Sequence, residues 1–334
     1  MLEDSSLTLL KGKKNLLAFS AGGDSTALFF LLLKFDIKFD IAIVNYNTRE
    51  QSLDELAYAQ ELALKYNLLC HTLNAPKIEK NFESKAREIR YNFFDNLIAE
   101  FSYENLLTAH HLGDRFEWML MQFCKGAGCA ELSGMQLEES RNSYSLIRPL
   151  LHLGKEELLT FLKKEKILYF EDETNTDETI HRNHVRHKYA QPLLKEYSKG
   201  IKKSFDYLDE DRRLLIQESQ INIIGEFIYF KRATSKRSDI YTIDKELKKL
   251  GFMMSASERE LLKLQTTLTL GRKYIVNFDS NYVFIIPNST QKVEMPHKFK
   301  EECRLLKLEP KLRSFFYLNV VEFSKLKELL LPQE

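Results

Sequence analysis

The sequence lacks several features that mark common classes of protein. Its 334 residues include only four cysteines, which are widely separated and form no Cys-x-x-Cys pair, so neither a zinc site nor an iron–sulfur site is predicted. No apolar run approaches the length of a membrane-spanning helix. The acidic amino-terminal residues do not resemble a signal peptide. We therefore expect a reduced, cytoplasmic protein with no membrane partner.

The sequence also has no excess of charge of either sign. Lysine and arginine number 49 against 48 aspartates and glutamates, which gives a net charge of +1, so any nucleic-acid binding must depend on a local basic surface. A hydrophobic content of 44% and a charged content of 29% are ordinary for a globular protein. The chain is long enough for two domains.

Two common nucleotide-binding motifs, Gly-Lys-Ser/Thr after a glycine-rich loop and Gly-x-Gly-x-x-Gly, are missing. The sequence has instead Ser20-Ala21-Gly22-Gly23-Asp24-Ser25 between two apolar runs, residues 15–19 and 27–33. This pattern predicts a strand, a small loop and a helix capped by Asp24 and Ser25. Such a loop directs backbone N–H groups and a helix N-terminus at an anion, most obviously a phosphate; an ordinary capped turn is the alternative. Because positive φ is costly for alanine, we expect Ala21 to keep a negative φ.

Strand and helix patterns alternate through the first part of the chain. Further strands are predicted at 40–45, 70–73 and 105–109, and helices at 53–66, 83–101 and 112–123. Short connections between alternating elements are typical of a doubly wound parallel α/β sheet. Ligands of such sheets bind beyond the carboxyl ends of the strands. We therefore expect loop 20–25 to face His110 and His111, which follow the fourth strand.

The pattern loosens after Gly134. A helix at 155–164 precedes an acidic segment at 171–177, a basic one at 181–188 and a long charged helix at about 192–219. Later runs are β-like at 221–230, 273–278 and 282–286, and helical near Lys245 and at 323–331. We predict three parts: residues 1–190, a helical connector at 191–220, and a small α+β C-terminal domain at 221–334.

Asp114 and Glu117 lie three residues apart and therefore share one face of the helix that follows His110 and His111. Two carboxylates at this place could hold Mg²⁺ or the ammonium group of an amine substrate. The alternative is that they are helix-start carboxylates favoured by the helix dipole.

Arg87 and Arg90 are likewise three residues apart on one helical face and could clamp a phosphate or an anionic intermediate. Ion pairs with Glu83 and Glu88 are the alternative. A second basic set is either a nucleic-acid contact or a solvated helix face; it comprises Arg182, Arg186, Lys188, Lys195, Lys199, Lys202 and Lys203.

Loop 20–25 resembles the pyrophosphate loop Ser-Gly-Gly-x-Asp-Ser of the N-type ATP pyrophosphatases, the PP-loop superfamily, with Ala21 in place of the first glycine. The wider set of motifs resembles the tRNA(Ile)-lysidine synthetase family in content, order and spacing over about the first 190 residues. The matching segments are residues 20–28, 86–91, Thr108-Ala-His-His-Leu-Gly-Asp-Arg-Phe-Glu117, Lys125-Gly-Ala-Gly128, Arg148-Pro-Leu-Leu151 and Glu171-Asp-x-Thr-Asn175 with Arg182-Asn183-x-x-Arg186.

This resemblance implies an adenine-nucleotide α-hydrolase-like fold and a reaction that uses ATP and Mg²⁺. The family joins free L-lysine to carbon 2 of the wobble cytidine of tRNA(Ile) with anticodon CAU, through an adenylated cytidine. It implies a catalytic domain at 1–190 and tRNA recognition at 221–334.

By the same resemblance, the residues of loop 20–25 would hold the ATP phosphates, with Asp24 on Mg²⁺. Arg90 and His110 would lie by the α-phosphate or the adenylated base. Asp114 and Glu117 would hold the lysine ammonium and accept its proton. The substrate-binding set would also include Arg87, Arg182, Asn183 and Arg186.

Besides Ala21, the chain departs from the family pattern in two places. Gly113 and Arg115 replace the first aspartate and the glutamine of His-His-x-Asp-Asp-Gln, which leaves Asp24 as the best Mg²⁺ ligand, and Val44-Asn45-Tyr46-Asn47-Thr48-Arg49 is a loose match to a histidine-rich motif.

Three alternatives stay open at this point. They are a tRNA thiolase of the same superfamily, a small-molecule adenylating ligase of the NAD or GMP synthetase kind, and an RNA-binding protein that kept the fold without the activity. The oligomeric state is also open, and a homodimer is one alternative.

Overall fold

Short apolar segments form the sheet of the first of two units into which the chain divides, Met1–Leu208 and Asp209–Glu334. In this computed structural model, residues 1–47, 51–141, 143–171, 181–289 and 293–330 are described. The acidic segment predicted at 171–177, apart from Glu171, lies outside the described residues, as do Thr48, Arg49 and Leu331.

The sheet of the first unit has six strands in the order β3-β2-β1-β4-β6-β5. All neighbouring strands are parallel except β5, which pairs antiparallel with β6 at one edge. The predicted doubly wound parallel sheet is therefore confirmed, with an antiparallel edge strand added. The strands are β1 Asn15–Ala18, β2 Phe39–Asn45, β3 Cys70–Asn74, β4 Asn105–Leu107, β5 Glu138–Ser140 and β6 Ser145–Ile147.

Helices cover both faces of this sheet because successive strand residues point to opposite sides. Leu17 and Leu107 pack on one face with the helices at 23–34, 51–66 and 155–164, whereas Leu16 and Leu106 pack on the other with the helix at 82–101. Each fully buried leucine contributes about 1.5–3 kcal/mol. The helices are α1 Asp4–Leu10, α2 Gly23–Lys34, α3 Gln51–Tyr66, α4 Phe82–Phe101, α5 Leu112–Phe123, α6 Cys129–Leu132, α7 Lys155–Lys164, α8 His181–Val185 and α9 Gln191–Leu215, with a π-helical turn Arg186–Ala190 between the last two.

The second unit is a five-stranded antiparallel sheet in the order β7-β8-β11-β10-β9. One face packs against α10 and α11, and the other against α12, α13 and α14. The α+β prediction is thus confirmed. The elements are β7 Ile221–Ile224, β8 Phe227–Lys231, α10 Lys236–Lys249, α11 Ala256–Leu264, β9 Thr267–Leu270, β10 Tyr274–Phe278, β11 Tyr282–Pro287, α12 His297–Leu305, α13 Pro310–Leu318 and α14 Val320–Leu330.

The β structure predicted at 221–230 is present, but as a hairpin of β7 and β8 and not as one continuous run. Gly225 turns the chain with a φ of 54°, a left-handed conformation that glycine adopts at little cost. None of the described helices is long and apolar enough to cross a membrane.

Candidate active site

Loop 20–25 connects β1 to α2, and hydrogen bonds made by its two serines stabilise its conformation. Ser25 Oγ lies 3.1 Å from Ser20 Oγ, donates to the Gly22 carbonyl oxygen at 3.1 Å and accepts from the Ser20 N–H at 3.2 Å. The N–H groups of Gly23, Asp24 and Ser25 belong to the first turn of α2, where a helix offers no acceptor. The loop therefore presents hydrogen-bond donors and a helix N-terminus to an anion.

The predicted caps of this helix are wrong. Gly22 is the N-cap, with an extended φ of −72° and ψ of 163°, and α2 begins at Gly23. Asp24 and Ser25 lie inside the first turn. The Ser25 hydroxyl points back to Ser20 and Gly22 instead of capping the helix.

The expected negative φ of Ala21 is also wrong, because its φ is +58°. The Ala21 carbonyl oxygen accepts the Phe170 N–H at 3.0 Å and the Thr26 hydroxyl at 3.2 Å. These two bonds offset the roughly 1–2 kcal/mol that a left-handed alanine costs. The segment that ends at Phe170 thus fixes the loop from outside, through a short parallel bridge to Gly22.

Asp24 has one buried carboxylate oxygen and one that lies near two nitrogen-bearing side chains. Its Oδ1 is buried and has no hydrogen-bond partner among the described residues. Its Oδ2 lies 3.7 Å from His111 Nε2 and 3.8 Å from Lys155 Nζ. An unpartnered carboxylate oxygen beside a phosphate-binding loop fits a hard cation such as Mg²⁺. The described residues contain no cluster of three or more side chains able to hold a metal ion, so the remaining ligands would be phosphate oxygens and water.

His110 and His111 follow β4, which lies directly beside β1 in the sheet, and His111 reaches Asp24 of the loop, as the winding order predicts. Thr108 Oγ1 lies 2.9 Å from His110 Nδ1. Burial lowers the pKa of His110 to about 4; Asp114 opposes this effect, while the charges of Arg148, Arg182 and Arg87 add to it. His110 is therefore neutral at neutral pH and offers a hydrogen bond rather than a charge.

His111 is the N-cap of α5, and the residue is buried, with only 5% of its surface exposed. Its Nδ1 accepts the Gly113 N–H at 2.9 Å, and the His111 N–H donates to Asp114 Oδ2 at 3.0 Å. Nε2 lies 3.7 Å from both Asp24 Oδ2 and Asp114 Oδ2. His111 thus stands between the loop carboxylate and the first carboxylate of α5.

Asp114 and Glu117 form a compact ion-pair cluster with Arg182 and Arg186. Arg182 donates to Asp114 Oδ1 at 2.6 Å and to Glu117 Oε2 at 3.1 Å. Arg186 donates to Glu117 Oε1 at 2.6 Å and Oε2 at 3.1 Å. The two predicted carboxylates and the two predicted arginines therefore meet, although sequence spacing does not pair them.

The positive groups around Asp114 keep this carboxylate ionised. Burial alone would raise the pKa of Asp114, but His111, His110 and Arg182 and the His111 N–H bond hold it well below its usual range. The Glu117 side chain is only 3% exposed, whereas that of Arg182 is 43% exposed. Arg186 opens a π-helical turn, a backbone irregularity that is frequent at functional sites.

The other predicted site residues lie on α4 and α8. Arg87 is exposed on α4 with its guanidinium 4.6 Å from the Tyr91 ring centroid, and its charge acts on His110. Arg90 is half-buried, and its charge lowers the pKa of Tyr46 against a larger raising effect of burial. Asn183 is buried in α8 between the two arginines.

Sequence reasoning missed Lys155 and gave no role to Arg148. Arg148 is buried and donates to the Gln136 carbonyl oxygen at 2.9 Å and to Glu139 at 2.8 Å. The Arg148-Pro-Leu-Leu151 motif was the sequence feature that could have identified Arg148. No sequence feature pointed to Lys155, because only the packing of α7 against α2 brings it to Asp24.

Arg115, one of the departures from the family pattern, has a structural role. It donates two hydrogen bonds to the Ser133 carbonyl oxygen, at 3.0 and 2.8 Å, and its guanidinium lies 4.3 Å from the Phe205 ring centroid. Phe205 belongs to α9. Arg115 therefore ties α5 to two neighbouring segments.

A phosphate loop at the strand ends of a doubly wound sheet, with an unpartnered aspartate oxygen beside it, defines an ATP-dependent enzyme of the PP-loop class. Residues 2–193 match the family described as the PP-loop domain.

The chain belongs to the tRNA(Ile)-lysidine synthase family. It is 41% identical to the tRNA(Ile)-lysidine synthase of Campylobacter jejuni strain RM1221, over 97% of this chain and 99% of the relative. It is 42% identical to that of Helicobacter pylori strain 26695, over 95% of this chain and 92% of the relative.

Among solved structures, the chain resembles a U34-tRNA thiolase of Methanococcus maripaludis that carries a [4Fe-4S] cluster. The TM-score is 0.53 at 18% identity, over 64% of this chain and 76% of that chain. This likeness concerns the fold alone.

Proposed function

We propose that this chain joins lysine to carbon 2 of the wobble cytidine of tRNA(Ile) with anticodon CAU, at the expense of ATP. Similarity to synthases of that name over nearly the whole chain is the observation that carries the proposal. The geometry supports it, because loop 20–25 and the cluster of Asp114 and Glu117 lie on either side of His111.

The first half-reaction is adenylation of the cytidine. The cytidine O2 attacks the α-phosphorus of ATP, a P–O bond forms, and the bond to the β-phosphate breaks to release pyrophosphate. Ser20, Ser25 and the N–H groups of loop 20–25 would hold the departing phosphates. Asp24 would hold Mg²⁺ through Oδ1, and the bound ion would neutralise phosphate charge.

His110 and the arginines of α4 complete this half of the site in the proposal. A neutral His110 would donate a hydrogen bond to the α-phosphate or the adenylated base without a competing charge. Arg87 and Arg90 lie on one face of α4 and would supply the positive charge that the phosphate requires.

The second half-reaction replaces AMP by lysine. The ε-nitrogen attacks carbon 2, a C–N bond forms, the C–O bond breaks with AMP as the leaving group, and the amine loses a proton. Asp114 and Glu117 would hold the ammonium and accept that proton. Their oxygens here accept from guanidinium groups, so the amine must replace one such contact. Arg182 is the more exposed partner and is the one we expect to withdraw.

The proposal includes the remaining partners. Residues 1–190 would carry out catalysis, residues 191–220 would form a helical connector, and residues 221–334 would recognise the tRNA. The reaction would take place in the cytoplasm, where ATP, lysine and tRNA are present. Arg182, Asn183 and Arg186 would contribute to substrate binding. A homodimer is the alternative to a monomer, and light scattering of the purified protein distinguishes the two.

The decisive assay is ATP- and tRNA-dependent incorporation of labelled lysine into tRNA, followed by nucleoside analysis. Lysidine in the digest is the expected result. Sulfur in the product would indicate a thiolase, and ATP–pyrophosphate exchange without tRNA would indicate a small-molecule ligase. Tight tRNA binding with no AMP release would indicate an RNA-binding protein without the activity.

A further inference from the structure

The His111 ring is held in one orientation by its own helix. Nδ1 accepts the Gly113 N–H at 2.9 Å, so in the neutral ring the proton is on Nε2. Nε2 faces two carboxylates at equal distance, Asp24 Oδ2 and Asp114 Oδ2, each 3.7 Å away. These distances exceed a normal hydrogen bond. The contact in this structure is electrostatic and is shared between both acids.

Gly113 leaves the space that this ring occupies. A Cβ at position 113 would lie 2.6 Å from His111 Cε1 and 2.9 Å from Nδ1. Both distances are far inside van der Waals contact, and the ring is buried and cannot swing into solvent. Any larger residue, including the aspartate of the usual motif, would displace the imidazole. The imidazole ring can therefore occupy this position only because residue 113 is a glycine.

We propose that His111 is a positioning residue that couples the two half-reactions by holding Asp24 and Asp114 in register, and that Gly113 is required for this role. The proposal rests on the function proposed above, because it assigns Asp24 to adenylation and Asp114 to the lysine step. Loop 20–25 and α5 follow different strands of the sheet. His111 Nε2 lies 3.7 Å from a carboxylate oxygen of each, and the charge of Arg186 also acts on Asp24 and Asp114.

Two substitutions separate positioning from capping. His111→Asn keeps a strong N-cap, because the asparagine oxygen accepts the same N–H, but it removes the group that reaches both carboxylates. Gly113→Ala improves helix propensity by up to about 1 kcal/mol, so it should not unfold α5, but its Cβ displaces the ring. Gly200→Ala is the matched control, since Gly200 lies within α9 and an added Cβ meets nothing within 4 Å.

The first readout is metal binding without turnover. Mn²⁺ affinity is measured by electron paramagnetic resonance in the presence of a non-hydrolysable ATP analogue. We expect His111→Asn and Gly113→Ala each to weaken Mn²⁺ binding by about tenfold to a hundredfold, the usual range for groups that orient a metal ligand. Gly200→Ala should match the unmodified protein.

The second readout is the lysine step. Both variants should raise the KM for lysine about tenfold while thermal unfolding shows an intact fold, and lysine-independent pyrophosphate release should fall as well. In the double variant, Gly113→Ala should add nothing to His111→Asn, because the ring that it displaces is already gone.

Three results would overturn the proposal: normal Mn²⁺ affinity in folded His111→Asn, a Gly113→Ala variant that behaves like Gly200→Ala, or additive effects in the double variant. If His111→Asn does not fold, Gly113→Ala decides alone. Absence of lysine incorporation by the unmodified protein would instead reject the proposed function. The Mn²⁺ measurement would still report on the coupling through His111.

Discussion

His110 stays neutral in the folded protein because it is buried beside positive charges, which gives the unfolding equilibrium a specific pH dependence. Its pKa falls from 6.5 to about 4 on folding. Between these values the unfolded chain binds a proton that the folded chain does not. The free energy of unfolding should therefore decrease as the pH falls from 6.5 towards 4, by up to about 3 kcal/mol, and this contribution should level off below pH 4.

Denaturant unfolding between pH 4 and pH 7.5 measures this effect when the protein is compared with His110→Gln. The variant should show a flatter profile, because it has lost the titrating group. The pKa of His71 is also lowered by burial. Its contribution to the free energy of unfolding is the same in both proteins and therefore cancels when the two profiles are subtracted. Parallel profiles would contradict the assignment.

Among the described residues, one oxygen of Asp24 has no hydrogen-bond partner, and removal of this carboxylate should impair the metal-dependent step. Asp24→Ala should reduce AMP and pyrophosphate formation by a factor of roughly 100 or more, while circular dichroism shows the fold intact. The physical reason is that Oδ1 is the buried carboxylate oxygen beside the phosphate loop that no group in the described chain satisfies. Near-normal AMP release by a folded variant would exclude the metal role.

Substitutions of Ala21 test whether the positive φ of this residue strains the phosphate loop. Its φ is +58° and its methyl group is fully buried. Ala21→Gly should change the free energy of unfolding by less than about 1 kcal/mol, because relief of strain offsets lost burial and chain entropy. Ala21→Val places a β-branched residue at positive φ and should cost at least about 2 kcal/mol. Equal stability of the two variants would mean that the loop relaxes to negative φ in solution.

At the scale of elements, the active site depends on the contact of α5 with α8 and with the π-helical turn that follows α8, which pairs two carboxylates with two arginines. Glu117→Gln keeps the shape of the side chain but removes its charge. It should slow the lysine step by about two to four powers of ten and affect adenylation much less, because loop 20–25 and Asp24 are unchanged. Adenylated tRNA should accumulate or slowly hydrolyse.

Single-turnover assays of pyrophosphate release and lysine incorporation distinguish the outcomes for Glu117→Gln. Equal loss of both steps would place Glu117 in the ATP half of the site. An unchanged lysine step would reduce Glu117 to a structural partner of Arg186. Its free energy of unfolding serves as the control, because a buried ion pair that loses one charge is destabilised by a few kcal/mol.

Helices with a clear apolar stripe were predicted together with the residues at which they begin and end. The structure has α5 at Leu112–Phe123 and α7 at Lys155–Lys164, as their apolar stripes and caps indicate. The three-residue strands β5 and β6 were not predicted, because such short segments carry no periodicity. They form only by tertiary pairing, β6 with β4 and β5 with β6. The π-helical turn at Arg186–Ala190 has no sequence signal at all.

At the scale of the whole molecule, the ATP-site motifs all lie in the first unit, and the second unit has hydrophobic cores of its own. A chain that ends at Ser219 should therefore bind ATP nearly as well as the full chain. It should bind tRNA at least about tenfold more weakly, a loss of about 1.4 kcal/mol.

Equilibrium binding of ATP and filter binding of tRNA measure the two effects on the same preparation. Circular dichroism of the truncated protein is the control for folding. A folded truncated chain that modifies the correct tRNA at the normal rate would show that residues after 219 do not recognise it.

The sequence by itself determined the alternation of strands and helices, the phosphate loop and the order of motifs, because these depend on local spacing and residue type. The left-handed Ala21, the pairing of Glu117 with Arg186 and the approach of Lys155 to Asp24 depend on residues distant in the chain. Only tertiary structure decides such contacts. Buried charges are stable only beside their partners, and those partners are chosen by which strands and helices become neighbours.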